Sequence, residues 1–542
     1  MTLDEDQRLD PTSPLGPRVS RGRPVATAEG RTTRCIRFLA LLMAAFCSTA
    51  PCVVGDTLFV DPVGGDDVGG DGSAAAPWKT ITHAMGQLPP GHNSVLLAAG
   101  EFSQSSGEVF PVGVPASADL EILGDPSGGS IVRSGAATGR LWINRPGLPA
   151  PAPQALVSVR DLTFDNASLD LSGAPLGINL LIERTRFEDA LGTAIAASSL
   201  FGDSAAVEVR DSQFERCQTA ARATGGAGGF GTISLYDSSI RDCDLGVYAD
   251  GFAPPSGGGN GTVVLTRCEV RDCEVGAYAY GEFGAIAWVS LFDTIIAEND
   301  VGLRGEDVAD IELNRSTVAG NTIGIEAVGR APEIVFVFAR SSIVWGNGFD
   351  VDPANVIFAV YSNLPVGITG TDVTHVDPLF EDPAGGDFHL AADSPLLDAG
   401  DPLALPVDLF ESDLDPRLID GDFDGVARVD MGYDEWNPAH LDLAGAPQIG
   451  SSVTFTTTAP AASVYALLAS PLTAQVPLGA PGAVLINVGA AVVLATGTVT
   501  GADVVAIPSA PVLVGLDLHA QSYAKSGFGE SLSNRVDLTI LP

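Results

Sequence analysis

The sequence has few basic residues. Its 542 residues include 28 lysines and arginines against 67 aspartates and glutamates, so the formal net charge at pH 7 is −39. Such a charge repels nucleic acids and anionic membranes within a Debye length of about 8 to 10 Å. The composition therefore argues against both as partners. It suits an exported protein that meets divalent cations or salt, and it is also explained by solubility alone.

Long apolar runs and catalytic signatures are absent as well. The apolar stretches 38–47 and 486–500 are shorter than the roughly 20 residues that a membrane-spanning helix needs. The six histidines are scattered, and no Ser/His/Asp arrangement, phosphate-binding loop or nucleotide fingerprint occurs. We therefore expect no membrane insertion of the mature chain.

The N-terminus has the layout of a signal peptide. Arg34 and Arg37 stand at the start of the apolar run 38–47, and the small residues 48–50 follow it. A positive region, an apolar run and a small-residue exit are typical of secretory signals. Residues 1–55 are therefore predicted to be a disordered preface and signal peptide, and the protein to be secreted or displayed at the cell surface. An uncleaved anchor is the alternative.

One short pattern recurs eight times between residues 157 and 353. It aligns on an apolar anchor, and successive anchors are 22 to 30 residues apart. The positions five and seven before each anchor are also apolar, and in the eighth unit they are Phe338 and Phe336. This period marks a repeat protein, and alternate apolar positions are typical of half-buried strands. The anchors are Phe164, Phe187, Phe214, Ile240, Val270, Ile296, Val318 and Ile343.

A second strand follows the anchor, most clearly where Ala249, Ala279 and Ala327 share one column. Short strands coiled around a dry interior form the rung of a parallel β-helix. The chain resembles the right-handed parallel β-helices of the pectin-lyase-like superfamily, a resemblance that specifies fold better than chemistry. The predicted fold is all-β, with a right-handed parallel β-helix over residues 56–436 and a small C-terminal β-sandwich over residues 437–542.

Residues 57–133 are predicted to close the first rung, whose open end would expose strand edges and apolar side chains. Five apolar residues at helical spacing would form the lid. The stretch resembles the uncharacterised N-terminal domain class that opens many secreted bacterial β-helix proteins, and the resemblance implies architecture only. The lid residues are Trp78, Ile81, Ala84, Met85 and Leu88.

A charged residue stands three positions before each anchor. Because stacked residues of a solenoid are about 4.8 Å apart, the column predicts a surface ladder of ion pairs. Stacked Asp and Arg residues are also the ingredients of a pectate-lyase-like site, and the catalytic candidates would then be Asp211, Asp237, Arg267 and Asp293. The whole column reads Asp161, Arg184, Asp211, Asp237, Arg267, Asp293, Arg315 and Arg340.

A column of cysteines and asparagines stands three positions after the anchors, where stacked Asn side chains can satisfy backbone groups at a turn. Its first members are Cys217, Cys243 and Cys273, and Asn299 and Asn321 follow. Neighbouring rungs lie within the Cα separation of about 4.4 to 6.8 Å that a disulfide accepts. One disulfide among the three cysteines is therefore predicted.

Aromatic residues and carboxylates occur together in the middle rungs. Tyr248 and Tyr278 share an outward column and are expected to stack, and Tyr280, Asp250 and Glu282 lie beside them. Aromatic rings next to carboxylates on a flat face are typical of carbohydrate-binding surfaces. These five residues are the predicted carbohydrate site, with plain surface stacking as the alternative.

An acidic segment follows the last rung. Asp420, Asp422 and Asp424 alternate before a glycine, which resembles the opening of an EF-hand calcium loop. The twelfth loop position is Met431, so the usual bidentate acid is missing and Asp430 stands one place early. The segment predicts structural calcium at a C-terminal cap of the β-helix, or an acidic solvated turn.

The sequence supports two functions. The first is an exported, monomeric, non-catalytic protein whose rod presents a face to polysaccharide or to a cell-surface component. The second is a carbohydrate-active enzyme, a polysaccharide lyase or glycoside hydrolase that acts on an acidic polysaccharide. In the enzyme, Asp and Arg of adjacent rungs would share the acid and base work, with calcium as the one candidate cofactor.

Overall fold

The computed structural model describes residues 56–89, 93–115, 120–135, 139–144, 155–172, 178–199, 204–252, 258–282, 284–329, 335–351, 356–403, 419–421, 426–459, 463–479, 482–498, 501–526 and 530–542. They belong to one compact unit, Gly55–Pro542. The predicted preface and signal peptide, residues 1–55, lie outside the described residues. None of the described helices is long and apolar enough to cross a membrane.

Three parallel sheets wind into a solenoid. Each full coil places one strand in the first sheet, one in the second and one in the third, and the sheets contain 12, 10 and 10 strands. In chain order the elements are β1 (Asp56–Val60), α1 (Ile81–Gln87), β2 (Asn93–Leu97), β3 (Gly100–Phe102), β4 (Val112–Pro115), β5 (Leu120–Leu123), β6 (Ser130–Arg133), β7 (Arg140–Asn144), β8 (Ala155–Arg160), β9 (Thr163–Asp165), β10 (Ser168–Ser172), β11 (Ile178–Glu183), β12 (Arg186–Glu188), β13 (Thr193–Ser199), β14 (Ser204–Arg210), β15 (Gln213–Glu215), β16 (Thr219–Gly225), β17 (Phe230–Tyr236), β18 (Ser239–Arg241), β19 (Leu245–Gly251), β20 (Asn260–Thr266), β21 (Glu269–Arg271), β22 (Val275–Gly281), β23 (Ala287–Phe292), β24 (Ile295–Ala297), β25 (Val301–Asp307), β26 (Ala309–Asn314), β27 (Thr317–Ala319), β28 (Ile323–Val328), β29 (Val335–Arg340), β30 (Ile343–Trp345), β31 (Phe349–Val351) and β32 (Val356–Val360).

The sheets are assembled from every third strand. The parallel β-helix fold predicted from the repeats is therefore confirmed, and it begins two coils before the eight that the sequence pattern revealed. The first sheet contains β1, β2, β5, β8, β11, β14, β17, β20, β23, β26, β29 and β32. The second contains β3, β6, β9, β12, β15, β18, β21, β24, β27 and β30, and the third contains β4, β7, β10, β13, β16, β19, β22, β25, β28 and β31.

The anchors form the interior column of the second sheet. Phe164, Phe187 and Phe214 are fully buried, and their rings stack with centroids 4.9 and 5.0 Å apart. Such offset stacking adds to the hydrophobic stabilisation that burial itself provides. The register of the pairing places like side chains above one another, so the core is continuous along the solenoid.

The charged column occupies the tight turns between the first and second sheets. Seven of its members, from Asp161 to Arg315, have φ between +44° and +58°, the left-handed region that Asp and Asn tolerate better than most residues. A second left-handed position follows the second sheet, for example at Asn166 and Asp189. Two such bends in each coil let three short strands close around a narrow core.

The eighth repeat is shifted by one residue from the sequence alignment. Val318 pairs with Val344, so the interior anchor is Val344 rather than Ile343, and Ser341 rather than Arg340 takes the left-handed turn. Val337 and Ala339 point inward, while Phe336 and Phe338 lie on the outer face and stack with Phe358. A shift of one residue in register exchanges the two faces of a strand. The sequence pattern did not reveal the shift, because the outward-facing Phe336 and Phe338 are apolar as well.

The N-terminal lid is present as predicted. The helix α1 begins after Thr80, whose hydroxyl accepts a hydrogen bond from the His83 N–H. Ile81, Ala84 and Met85 are buried in the solenoid core, together with Trp78, and Leu88 packs against it. The lid therefore covers apolar side chains that the first coil would otherwise expose.

The described part of the acidic segment, residues 377–403, 419–421 and 426–436, packs on the outer face of the second sheet. Its antiparallel strands are β33 (Phe380–Asp382) and β34 (Asp387–Leu390), joined by the 3-10 turn Pro383–Gly385. Phe388 packs on Ile295 and Ala319, and Leu390 packs on Ile343. This face of the solenoid is apolar, so the contact removes outward-facing side chains from water. Closure of the end of the solenoid by the acidic segment stays a prediction.

The C-terminal module is antiparallel and has its own core around Phe455 and Leu467, consistent with the predicted β-sandwich. One sheet has the order β35, β36, β41, a second has the order β40, β37, β42, β43, and β38 pairs with β39. These strands are β35 (His440–Ala444), β36 (Ser452–Thr458), β37 (Val464–Ser470), β38 (Thr473–Gly479), β39 (Gly482–Ile486), β40 (Val492–Thr498), β41 (Gly501–Ala506), β42 (Asp517–Lys525) and β43 (Glu530–Thr539), with a 3-10 turn at Pro511–Leu513.

The corrected register can be tested with two adjacent substitutions. Val337→Asp is expected to lower the free energy of unfolding by more than about 3 kcal/mol, because it buries an unpaired charge. Phe338→Asp should cost less than about 1.5 kcal/mol, because Phe338 is 41% exposed and loses mainly ring contacts. Urea unfolding followed by circular dichroism measures both. The reverse order of the two effects would restore the alignment on Ile343.

Candidate functional site

The charged turn column forms ion pairs between neighbouring coils. Arg184 reaches Asp161, Arg267 reaches Asp237, and Arg315 reaches Asp293, each with an Nε to Oδ1 distance of 2.7 Å. A second contact from the guanidinium makes each pair bidentate. The predicted ladder is therefore present, and three of the four catalytic candidates, Asp237, Arg267 and Asp293, are held in it.

Asp211 differs from the other three candidates. Among the described residues it makes no ion pair, and burial together with the neighbouring charge of Asp237 raises the pKa of its carboxyl group. A carboxyl group with a raised pKa can hold a proton at a pH where an ordinary aspartate has lost it. Asp211 is thus the member of the column best suited to acid or base chemistry.

Asp211, Asp237 and Arg267 line a groove of about 550 Å³ that we call the turn groove. Its opposite wall is the acidic segment, which contributes His389 and Tyr433. Nδ1 of His389 lies 2.6 Å from Oδ1 of Asp387, and the Tyr433 side chain is nearly buried. The structure therefore brings three of the predicted catalytic residues together and leaves Asp293 outside, buried against Arg315.

The predicted carbohydrate residues lie on the outer face of the third sheet. Tyr248 and Tyr278 stack as expected, with centroids 4.9 Å apart. The guanidinium of Arg222 lies 4.9 Å from the centre of the Tyr248 ring, and that of Arg304 lies 5.9 Å from the centre of the Tyr278 ring. Because neighbouring groups cover the faces of both rings, these tyrosines offer their edges and hydroxyl groups rather than a flat platform.

The neighbouring column of the same face is polar. Asp250 is nearly buried and pairs with Arg222, while Glu306 accepts a hydrogen bond from the Tyr278 hydroxyl group. Burial first, and then the nearby carboxylates, raise the pKa of both Tyr248 and Tyr278, so their hydroxyl groups stay protonated. Tyr280 is tilted against Tyr278, with its ring centre 6.4 Å away.

Two features of this face were not recognised in the sequence. Arg222 and Arg304 occupy the same column as the tyrosines, and Glu306 occupies the column of Asp250 and Tyr280. The shared alanine column could have revealed them, because each lies one position before or after it. Glu282 is placed differently, since it follows the end of β22 and its N–H donates to the Gly251 carbonyl.

The predicted disulfide is not formed, and the four described cysteines are free and buried. The sulfur of Cys243 faces the backbone of the adjacent coil and accepts from the Cys217 N–H at 3.4 Å. The Cys273 N–H donates in the same way to the Asn299 side chain at 2.9 Å. The thiols therefore take over the backbone-satisfying role of the asparagines instead of bonding to each other. Burial raises the pKa of the Cys268 thiol to about 12.

The predicted calcium residues are only partly described. Asp422 and Asp424 lie outside the described residues, and the described part of the chain contains no group of three metal-ligating side chains. Asp430 is buried, and its carboxylate accepts hydrogen bonds from the N–H groups of Asp398 and Trp436. Asp420 is buried as well. Asp430 thus holds two parts of the backbone of the acidic segment together.

Residues 63–154 match a family described as a protein of unknown function (DUF1565). The match includes the helix α1 and strands β2 to β7, and it overlaps most of the stretch in which the sequence predicted such a domain. A comparison with curated proteins finds no match.

Several solved structures are similar to this chain. ORF18 of Geobacillus virus E2 shares 8% identity, with a TM-score of 0.30, over 92% of this chain and 83% of that chain. A GH136 lacto-N-biosidase from Eubacterium ramulus shares 10% identity, with a TM-score of 0.29, over 64% and 72%. The periplasmic alginate epimerase AlgG shares 10% identity, with a TM-score of 0.25, over 55% and 83%. By its own three sheets, the chain is a parallel β-helix protein.

The ladder can be tested by removing one arginine at a time. Arg315→Met removes a bidentate guanidinium from the buried Asp293 and is expected to cost about 3 to 5 kcal/mol of stability. Arg184→Met is the matched control at a pair whose arginine side chain is 53% exposed, and it should cost less than about 1 kcal/mol. Urea unfolding measures both. Equal effects would contradict the different burial of the two pairs.

Proposed function

We propose that the protein is an exported, non-catalytic β-helix protein that binds polysaccharide along the outer face of the third sheet. The observation that carries the proposal is the polar and aromatic surface of this face from Arg222 to Glu326. No described segment packs over it, whereas the acidic segment covers the second sheet. Export rests on the signal-peptide pattern of residues 38–50.

The side chains of this face suit a hydroxyl-rich ligand. Thr224, Asp250, Tyr280 and Glu306 stand in one column, and their oxygen atoms can exchange hydrogen bonds with sugar hydroxyl groups. Successive rungs are about 4.8 Å apart, so a polymer that lies along the axis meets several of them.

The face is also held rigid before any ligand arrives. Arg222 is fixed by Asp250 and Tyr248, and Arg304 is fixed by Glu326 at 2.5 Å and by Tyr278. Side chains that are already ordered lose little conformational entropy on binding, and the entropy cost for each mobile side chain is otherwise about 0.5 to 1.5 kcal/mol. The mutual contacts therefore favour binding even though they cover the tyrosine ring faces.

A second candidate is a carbohydrate-active enzyme that works in the turn groove. The observation that favours it is Asp211, whose raised pKa suits a general acid and which faces His389 and Tyr433 across the groove. Asp237 and Arg267 would position the ligand. The carboxylates of Asp237 and Asp293 are neutralised by arginines, which is why binding without catalysis is the first proposal.

Binding can be measured by affinity electrophoresis in gels that contain neutral or acidic polysaccharides. Tyr280→Ala is expected to weaken binding about tenfold, equivalent to about 1.4 kcal/mol, because it removes a ring and a hydroxyl group from the face. Phe338→Ala on the outer face of the first sheet is the control and should bind like the wild type. Unchanged migration of the wild type on every polysaccharide would refute the proposal. Release of reducing ends that Asp211→Asn abolishes would establish the enzyme instead.

We further propose that calcium binds at the loop 420–430 and stabilises the covering segment on the second sheet. Calcium at a hundred times its dissociation constant should add about 2.7 kcal/mol and raise the melting temperature by a few degrees. Asp424→Asn should lose this calcium-dependent increase, whereas Asp442→Asn in the C-terminal module should keep it. Identical melting curves of the wild type in calcium and in chelator would rule the site out.

A further inference from the structure

The outer face of the third sheet contains a notch on its N-terminal side. Its floor is formed by the small side chains of Ala196 and Ser198 on β13. Asp170 stands on the preceding strand and Arg222 on the following one, in the same column as Ala196. The resulting groove has a volume of about 420 Å³, within the range of small-molecule sites, about 300 to 1,000 Å³.

Three polar atoms around this notch are buried without a hydrogen-bond partner in the described structure. They are Oδ1 of Asp170, Nε of Arg222 and Oδ1 of Asn166. All three residues line the groove. Because buried polar groups in native proteins are nearly always hydrogen-bonded, three unsatisfied atoms around one groove point to a ligand that supplies the missing partners.

The charges of the notch balance one another. Arg140 pairs with Asp170 at 3.1 Å, and Arg222 pairs with Asp250. Each cation therefore already has its carboxylate, and an acidic ligand would find no unpaired charge to neutralise.

The unsatisfied atoms also define the groups that the ligand must carry. Asp170 and Asn166 offer acceptor oxygens, while the Nε–H of Arg222 offers a donor. A hydroxyl group both donates and accepts, so a ring with neighbouring hydroxyl groups can satisfy all three. Ser198 and Thr224 add hydroxyl groups of their own to the groove.

We propose that the notch over Ala196 is a binding subsite for a neutral sugar residue, held by Asp170, Asn166 and Arg222. The ligand class rests on the proposed function, since the notch lies on the same face as the polysaccharide surface. The position of the subsite rests only on the notch itself.

The test fills the notch without touching its polar atoms. Ala196→Leu places a larger side chain on the floor, and Ala206→Leu is the matched control, because Ala206 faces outward on the first sheet, on the next strand of the chain. Isothermal titration calorimetry of the full protein with maltohexaose, cellohexaose and hexagalacturonate measures binding. We expect a neutral hexasaccharide to bind the wild type and Ala206→Leu, and Ala196→Leu to lose at least tenfold in affinity.

Two further variants separate position from chemistry. Asp170→Ala should weaken binding as Ala196→Leu does, whereas Asp170→Asn keeps an acceptor oxygen and should retain most of the affinity. Melting curves like that of the wild type show that each variant is folded. A neutral hexasaccharide that binds wild type and Ala196→Leu equally would overturn the subsite and leave the proposed function standing. Binding of hexagalacturonate alone would overturn the neutral ligand class, and no binding of any probe, together with unchanged migration in polysaccharide gels, would overturn both proposals.

Discussion

The structure depends on the in-register hydrogen bonding of one coil to the next. Parallel pairing sets each residue directly above its equivalent at about 4.8 Å, so the chain is read as columns rather than as a linear sequence. Apolar columns form the core, as the stacked phenylalanines do. In a polar column, identical charges stacked at this distance would repel one another, so opposite charges or uncharged groups must alternate with them.

The polar columns are stabilised in different ways. In the turn column, aspartates and arginines of neighbouring coils neutralise one another, as in the pairs Asp237 with Arg267 and Asp293 with Arg315. At the buried turns, a side chain of one coil accepts the backbone N–H of another, as when Asn321 accepts from the Asn299 N–H at 2.9 Å. Cysteine takes the place of asparagine in part of this ladder, and a separate ladder uses serine, because one acceptor atom is enough.

The outer faces of the second and third sheets differ in their side chains, and this difference determines where the candidate sites lie. The second sheet carries apolar outward residues such as Ile295 and is covered by the acidic segment, which creates the turn groove at its edge. The third sheet carries polar and aromatic columns, and no segment within the described residues packs over it. At one rung Ala196 stands where the neighbouring rungs have the longer side chains of Asp170 and Arg222, and this small side chain creates the notch.

The sequence by itself determined the repeat, the lid and most of the interior. Periodic apolar columns identify buried strands without knowledge of their neighbours, and Trp78, Ile81, Ala84 and Met85 could be assigned to the lid from helical spacing alone. The ion-pair ladder followed from the same columns. These features are local or repeat at a fixed period, and the sequence displays both properties directly.

Only the tertiary structure decided the register of the last repeat, the state of the cysteines and the composition of the sites. At the eighth coil, Phe336 and Phe338 fit the apolar pattern as well as Val337 and Ala339 do, and pairing with the preceding strand resolves the choice. His389 and Tyr433 line the turn groove because the acidic segment packs against strands that lie far from it in the sequence. The Tyr433 N–H, for example, donates to the hydroxyl group of Thr317, 116 residues earlier. Asp170 and Arg222 form the notch only because Ala196 lies between them, and such spacing depends on strand register, which no short segment of sequence specifies.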